Sequence, residues 1–490
     1  MMKILLILYF SIIGIACFGQ IPNLPTSETV SNSVNTVFNL PKIGTKNESI
    51  SKQPSIPQNF VSSSKSQIEI GNRKMIEEDF NRVAKEMEEK KLQNAELQKQ
   101  TQQINFENWI NSGRNMSYEL PSHSGKKGTQ SYYDAFSKLS QIDSENFSLA
   151  EANFNVENAF YNNKENLTQF KSTVQKIAKQ LLNKMKENKQ DTESNVAKNL
   201  MLFDYFSKDM NLGGVQHKAF QYDFKDYLGE KDWSKMFVSK LLKTGSGQCH
   251  SMPLLYLILA EAMGTEAYIS LAPNHSYIRF MDNEEQIQSI ELTNGMFSSN
   301  TFLLESGYIK SEALQNKIYM ENLSKKELLG MIYFDLARGY VHKFGYDEFV
   351  GKVIDKALSL YPNGISPNME KANINVARFT YLMEKLGIDP NNNIDLQRIR
   401  FFPKAIEQLN MTNAASDKIN QLGYTEMPAS AYEAWLGSLK TASSKQESEA
   451  LAQRIHLYEL QKQKEKQEAS KNNKKYEPKI KYVPLDPSKL

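Results

Sequence analysis

The sequence predicts an α+β protein in which one buried helix packs on a small antiparallel sheet, with α-helical segments before and after it. Three observations carry that reading. The run Leu254-Leu-Tyr-Leu-Ile-Leu-Ala-Glu-Ala-Met263 is apolar on nearly every side, the mark of a helix enclosed in a domain. Three short segments, 267–271, 275–280 and 287–292, follow it as strands, and the last two alternate with period two. The sequence on both sides has the 3.6-residue periodicity of helices.

Taken in order, residues 1–19 read as a secretory signal peptide. Lys3 gives a short positive region, Ile4 to Ile15 an apolar one, and Cys17-Phe18-Gly19 a small-x-small cleavage site. The apolar run is shorter than the ~20 residues a bilayer helix needs. The expectation is therefore export, to the periplasm or beyond the cell. A lipoprotein anchored through an acylated Cys17 is the alternative, and the only expected route to a membrane. Residues 20–74 are rich in Ser, Asn, Pro and Thr and are read as a disordered linker. Within 75–142, Ile76, Phe80, Val83 and Met87 fall at helical spacing among Glu and Lys, then the stripe fades. That predicts a lone solvated helix ending near Gln103, followed by a polar linker through Ser122–Gly128.

The globular body is placed at 143–300, with helices at 148–154, 167–186, 192–210 and 233–242 before the buried one, which Gly264 stops. A helical module is expected at 301–442. There Leu336-Ala-Arg-Gly-Tyr340, Gly345, Ala357 and Tyr361-Pro362 form one degenerate tetratricopeptide-like unit, two helices with small residues at their crossing. Residues 443–490 are charged, lysine-rich from Lys462 onward, and read as a solvated tail.

Composition narrows the function. With 59 basic and 56 acidic residues the formal charge is only +3, and no groove-reading or base-stacking motif is present, so a nucleic-acid partner is not expected. The six histidines are dispersed, with no pair at metal-binding spacing, and no glycine loop cradles phosphate; neither a metal nor a cofactor is expected. His250 is read as solvated or capping, and the acidic group Asp223, Asp226, Glu230 and Asp232 as a solvated surface. Signal cleavage leaves Cys249 as the one cysteine, excluding an intrachain disulfide and posing a choice between a buried spectator and a reactive thiol.

The stretch Gly245-Ser-Gly-Gln-Cys-His-Ser-Met-Pro253 favours reactivity. Pro253 lacks an N–H and belongs in a first helical turn, so Cys249 sits at the positive end of the helix dipole, where a thiolate is stabilised. Gly245 and Gly247 suit a loop through which backbone passes close to a substrate. His275 opens a strand in which His275, Tyr277 and Arg279 share one face. A three-residue hairpin loop at Asp282-Asn283-Glu284 would pair Met281 with Glu285 and set Glu291 directly opposite His275. Thiol, imidazole and carboxylate then form an acyl-transfer site: His275 moves the proton, Glu291 orients the ring, and the Cys249 N–H, with Gln248, receives the oxyanion.

Gly247-Gln248-Cys249, the buried helix, His275-Ser-Tyr277 and Glu291-Leu-Thr293 resemble the transglutaminase-like branch of the papain-like cysteine enzymes. More narrowly, they resemble bacterial transglutaminase-core proteins that carry trailing tetratricopeptide-like helices. The specific match spans residues 233–295. The resemblance implies a papain/transglutaminase-like core and a Cys-His-Asp triad carried by Cys249, His275 and Glu291, with Tyr277 in the aromatic position two places after the histidine. The family's acid is usually an Asp before Pro-Thr, whereas Glu291 precedes Leu292-Thr293, so Asn294 and Asp282 stay in play as the third residue. The function implied is cysteine-dependent acyl transfer on a peptide or protein amide by hydrolysis, deamidation or transamidation. The alternative is an inert domain of the same kind that binds a protein partner through its C-terminal helices.

Overall fold

The computed structural model describes residues 67–282, 285–438 and 442–471. The expected signal peptide, Cys17, nearly all of the 20–74 linker and the last lysine-rich residues lie outside that range. The chain is mostly helical with small sheets, an α+β protein, and it divides into two units.

The smaller unit is the described part of Leu24–Tyr118 together with Thr380–Asn410. Its main element is α1 (Gln67–Asn115), which starts earlier and ends later than the predicted 75–103. Met75, Ile76, Phe80, Val83 and Met87 are exposed on it, as expected of a solvated helix. Its last turns are anchored instead: the Trp109 ring meets Phe402 edge-on at 4.8 Å, and its indole N–H donates to the Leu386 carbonyl at 2.8 Å.

The larger unit comprises Glu119–Phe379 and Met411–Leu490, as far as they are described. It opens with α2 (Thr129–Ser140), a helix where a polar linker was expected. Tyr132, Ala135 and Leu139 bury one side of it, and the Tyr132 hydroxyl donates to the Gly339 carbonyl at 2.9 Å. α3 (Leu149–Phe160), α4 (Leu167–Glu187) and α5 (Asn195–Ser207) follow, started by Ser148, Asn166 and Ser194, whose side-chain oxygens each accept a first-turn N–H. The short strands β1 (Met210–Leu212) and β2 (Val215–His217) form a hairpin.

The expected helix 233–242 is instead a 3-10 turn at Trp233–Met236 and then α6 (Val238–Thr244). The break arises at Phe237, where extended backbone frees the N–H groups of Val238 and Ser239 to donate to the buried Glu157 carboxylate at 2.6 and 2.9 Å. A carboxylate there satisfies orphan donors and favours the positive end of α6.

β3 (Gln221–Tyr222) runs parallel to β4 (Ser246–Gly247), fixing the approach to α7 (Ser251–Met263). Eleven of the 13 residues of α7 are buried, as its all-round apolar sequence requires. It packs against α3, α4, α5 and α6 and against the sheet formed by β5 (Tyr268–Ala272), β6 (His275–Met281), β7 (Ile287–Glu291) and β8 (Met296–Ser298). That sheet is an antiparallel meander in the order β5-β6-β7-β8, one strand more than expected.

After the short helices α8 (Asn300–Leu304) and α9 (Ser311–Gln315), α10 (Lys325–Phe344) and α11 (Glu348–Leu360) pack as the expected pair. A Cβ at Gly330 would stand 2.8 Å from the Tyr361 Cβ, so a residue without one is needed at their crossing. α12 (Ile365–Leu386), α13 (Asn393–Leu396) and α14 (Pro403–Gln421) lead to α15 (Ala429–Ser438) and α16 (Ala442–Lys471). The segment 442–471 corrects the reading of a solvated tail. Ile455 and Glu459 are buried, Ser448 accepts from the Phe297 N–H at 2.8 Å, and Ser194 donates to Glu459 at 2.8 Å.

Candidate active site

Cys249 lies two residues ahead of α7, and three contacts hold its loop. The Gln221 N–H donates to the Gly245 carbonyl (2.8 Å), the Asp223 N–H to the Gly247 carbonyl (3.0 Å), and the Gln248 N–H to Ser251 Oγ (2.9 Å). Gly245 has φ 69, the left-handed region that favours glycine, and a Cβ at Gly247 would stand 2.8 Å from Ser251 Oγ. The loop is therefore compact enough to bring β4, Cys249 and the start of α7 together. The Ser276 hydroxyl donates to the Cys249 carbonyl, tying the Cys249 backbone to β6.

The sheet supplies the imidazole and the acid. The β6–β7 ladder pairs Ile278 with Ile290 and Met281 with Ile287, a slip of two residues from the predicted register. Five residues, not three, connect the strands. Because side chains alternate with period two, a slip of two keeps Glu291 on the face of His275 and only moves it to a diagonal position. Diagonal neighbours are ~7–8 Å apart at the backbone, a span a Glu side chain covers. Nε2 of His275 lies 2.5 Å from Oε2 of Glu291, with their side chains 0% and 1% exposed. The other carboxylate oxygen accepts from the Thr293 N–H at 3.0 Å and the Thr293 hydroxyl at 2.6 Å.

These contacts set the charges. Burial alone raises the Cys249 thiol, but the hydrogen bond and positive charge of His275, with Tyr432 and His250 behind them, bring it below its ordinary value. Burial pushes His275 down, yet the Glu291 charge and the hydrogen bonds to Cys249 and Glu291 leave it raised. Glu291, which burial alone would raise, is held low by His275 and Thr293. All three directions favour a thiolate beside an imidazolium that a carboxylate steadies. Cys249 keeps partial access to solvent, and its Sγ lies 3.8 Å from the Asn274 carbonyl oxygen.

Set against known proteins, the chain matches no family model, and no curated protein or solved structure is significantly similar to it.

Of the other expected residues, Gln248 is fully buried with both amide hydrogens committed, donating to the Asp223 and Asp226 carbonyls at 3.1 and 3.0 Å. It anchors the loop and has no donor left for an oxyanion. Tyr277 is buried on the His275 face, its hydroxyl accepting from Ser270 at 3.0 Å. Asn294 donates at 3.5 Å to Thr293 Oγ1, and Asp282 accepts from Gln286 N–H and the Gln288 side chain at the far end of β6. Neither meets His275. In the acidic group, Asp223 pairs with Lys235 and Asp232 with Lys240, each at 2.6 Å, so two of its members are partly buried loop struts. Among the described residues no group of His, Cys, Asp and Glu is arranged to hold a metal ion.

Two arrangements were invisible in the sequence. His250, read as solvated or capping, is half-buried, with Nε2 3.0 Å from Oδ2 of Asp335 on α10. The second is aromatic: Tyr432 and Trp435, both on α15, meet His275. The Tyr432 hydroxyl lies 3.1 Å from Nδ1 of His275, and the Trp435 ring meets the imidazole edge-on at 5.3 Å. No local signal links Tyr432, or Trp435 beyond it, to a histidine 157 positions upstream of Tyr432.

Proposed function

We propose that this protein is a cysteine-dependent acyl-transfer enzyme acting on peptide or protein amides, with Cys249 as nucleophile, His275 as acid–base and Glu291 as the residue that orients His275. The observation that carries the reading is the buried Glu291–His275 pair, with Nε2 2.5 Å from Oε2, beside a thiol whose pKa the charge of His275 helps draw below its ordinary value. Burying a carboxylate costs desolvation, which a charge held on His275 beside it offsets. The helix headed by cysteine and packed on an antiparallel sheet bearing histidine and acid also supports the papain/transglutaminase-like core that the sequence resemblance implies. Export, as the N-terminal sequence suggests, completes the reading; among the described residues no helix is long and apolar enough to cross a membrane.

In the proposed reaction the thiolate attacks the amide carbonyl carbon, and the Cys249 N–H faces the developing oxyanion. Collapse breaks the C–N bond as the His275 imidazolium gives its proton to the leaving amine or ammonia, leaving a thioester on Cys249. Water or an amine then attacks the thioester carbonyl, His275 takes the proton, and the thiolate departs. Water as acceptor gives hydrolysis when a backbone amide was attacked and deamidation when a side-chain amide was; an amine as acceptor gives transamidation.

The test uses the full chain with a glutamine-containing protein and a fluorescent primary amine, following ammonia release and amine incorporation. The expected result is turnover that Cys249→Ser abolishes and His275→Ala cuts by about 10²–10⁴. The burial of His275 and Glu291 favours a second reading, an inert platform for a protein partner. Turnover that is absent with every acceptor, or unaffected by Cys249→Ser, would leave that reading standing.

A further inference from the structure

We propose that the segment Met427–Trp435 is an inhibitor acting in cis, seated over the Cys249–His275 centre so that the chain folds into a latent form. The proposal rests on the acyl-transfer reading and names the regulation of that site. Seven contacts place the segment. The Met427 carbonyl accepts from the Asn274 side-chain amide at 2.8 Å, and Asn274 is the residue whose own carbonyl faces Cys249 Sγ. Tyr432 is 0% exposed, its hydroxyl 3.1 Å from Nδ1 of His275 and 3.4 Å from the Tyr222 hydroxyl. Its ring packs on Tyr227 at 5.3 Å. Trp435 lies edge-on to His275, stacks on Phe302 at 5.0 Å and donates to the Phe302 carbonyl at 3.3 Å.

These contacts oppose catalysis for two reasons. Nε2 of His275 is committed to Glu291, so Nδ1 is the one ring nitrogen left to exchange a proton with Cys249 and the leaving group. Whichever atom donates, the Tyr432 hydroxyl competes for it. Sterically, Tyr432 and Trp435 cover the imidazole, while an acyl donor must bring its carbonyl carbon to ~3–3.5 Å from sulfur with its nitrogen near that ring. A small reagent can reach the partly exposed thiol; a polypeptide amide approaches both groups only in the fraction of molecules in which α15 has moved, so the wild type keeps a low basal turnover. Every member of the cap comes from one short helix and the residues just ahead of it, so moving that one element uncovers the centre without unfolding the sheet.

The experiment compares full-length wild type, the Tyr432→Ala/Trp435→Ala double variant and Trp435→Ala. Each is alkylated with small iodoacetamide and with a bulky fluorescent maleimide across pH, and near-ultraviolet circular dichroism verifies folding. Removing both rings is expected to raise the maleimide rate by about tenfold or more, because the accessible fraction sets the apparent rate. Trp435→Ala alone removes one covering ring and leaves the Tyr432 hydroxyl, which helps hold the thiol's pKa down, in place; it is expected to raise the maleimide rate about threefold or more, and it decides the matter should the double variant not fold. Unchanged rates, alongside a wild-type thiol whose ionisation is depressed and depends on His275, would overturn the inhibitor and leave the enzyme reading intact. A wild-type thiol with an ordinary ionisation midpoint, unmoved by His275→Ala, would overturn the enzyme reading and the inhibitor with it.

Discussion

At the scale of single residues the decisive feature is the length of one side chain. Glu291 reaches His275 across a diagonal of the ladder while Thr293 holds its second oxygen. An aspartate is one methylene shorter and cannot keep both contacts from the same backbone. Glu291→Asp is therefore expected to lower the His275 pKa, since the stabilising anion is withdrawn. The thiol, losing its imidazolium partner, then ionises at higher pH, read as the midpoint of alkylation against pH. A midpoint that stays put in Glu291→Asp would mean the acid does not steady the ring. The sequence carried the three chemical residues because each has a local mark: Cys249 a glycine-bearing helix start, His275 a strand start, Glu291 an alternating strand. It did not carry Gln248's true partners, which are backbone carbonyls in the 223–226 loop, nor Asp335 and Tyr432, which reach the site from 85 and 157 residues away.

At the scale of elements, errors in register and boundary were tolerated where periodicity protected them and not elsewhere. The β6–β7 hairpin was read two residues out of register, yet the same faces met, because two residues is one full period of a strand. The fourth strand, β8, is only three residues long and has too few alternations to register as a pattern. α2 was missed because Tyr132, Ala135 and Leu139 are spaced among serine, lysine and aspartate in a segment that polar residues precede. α16 looked solvated because its charged composition hides a few buried contacts to β8 and α5. That docking has a measurable weight. Ile455→Ala in the full chain is expected to cost about 2–5 kcal/mol in denaturant unfolding, the range for a buried isoleucine truncated to alanine. A loss below about 0.5 kcal/mol, the ordinary size of a surface change, would show that α16 does not pack there.

At the scale of the whole molecule, every residue of the candidate site belongs to the larger unit, from Tyr222 on β3 to Trp435 on α15. Periodicity and turn residues made its α+β class legible, since the buried helix and the strands after it announce themselves locally. Its closure was not legible, because α15, one of the helices expected to form a separate C-terminal module, folds back over His275. The central claim is that the Cys249 thiol is ionised by His275 within the folded protein, and the most direct measurement is the pH dependence of Cys249 alkylation in wild type and His275→Ala. The account predicts a wild-type midpoint below the free-thiol value of ~8.5 and a higher midpoint in His275→Ala, since burial is then opposed only by the lesser effects of Tyr432 and His250. Identical midpoints in the two proteins, or a thiol that reacts only once the chain unfolds, would contradict it.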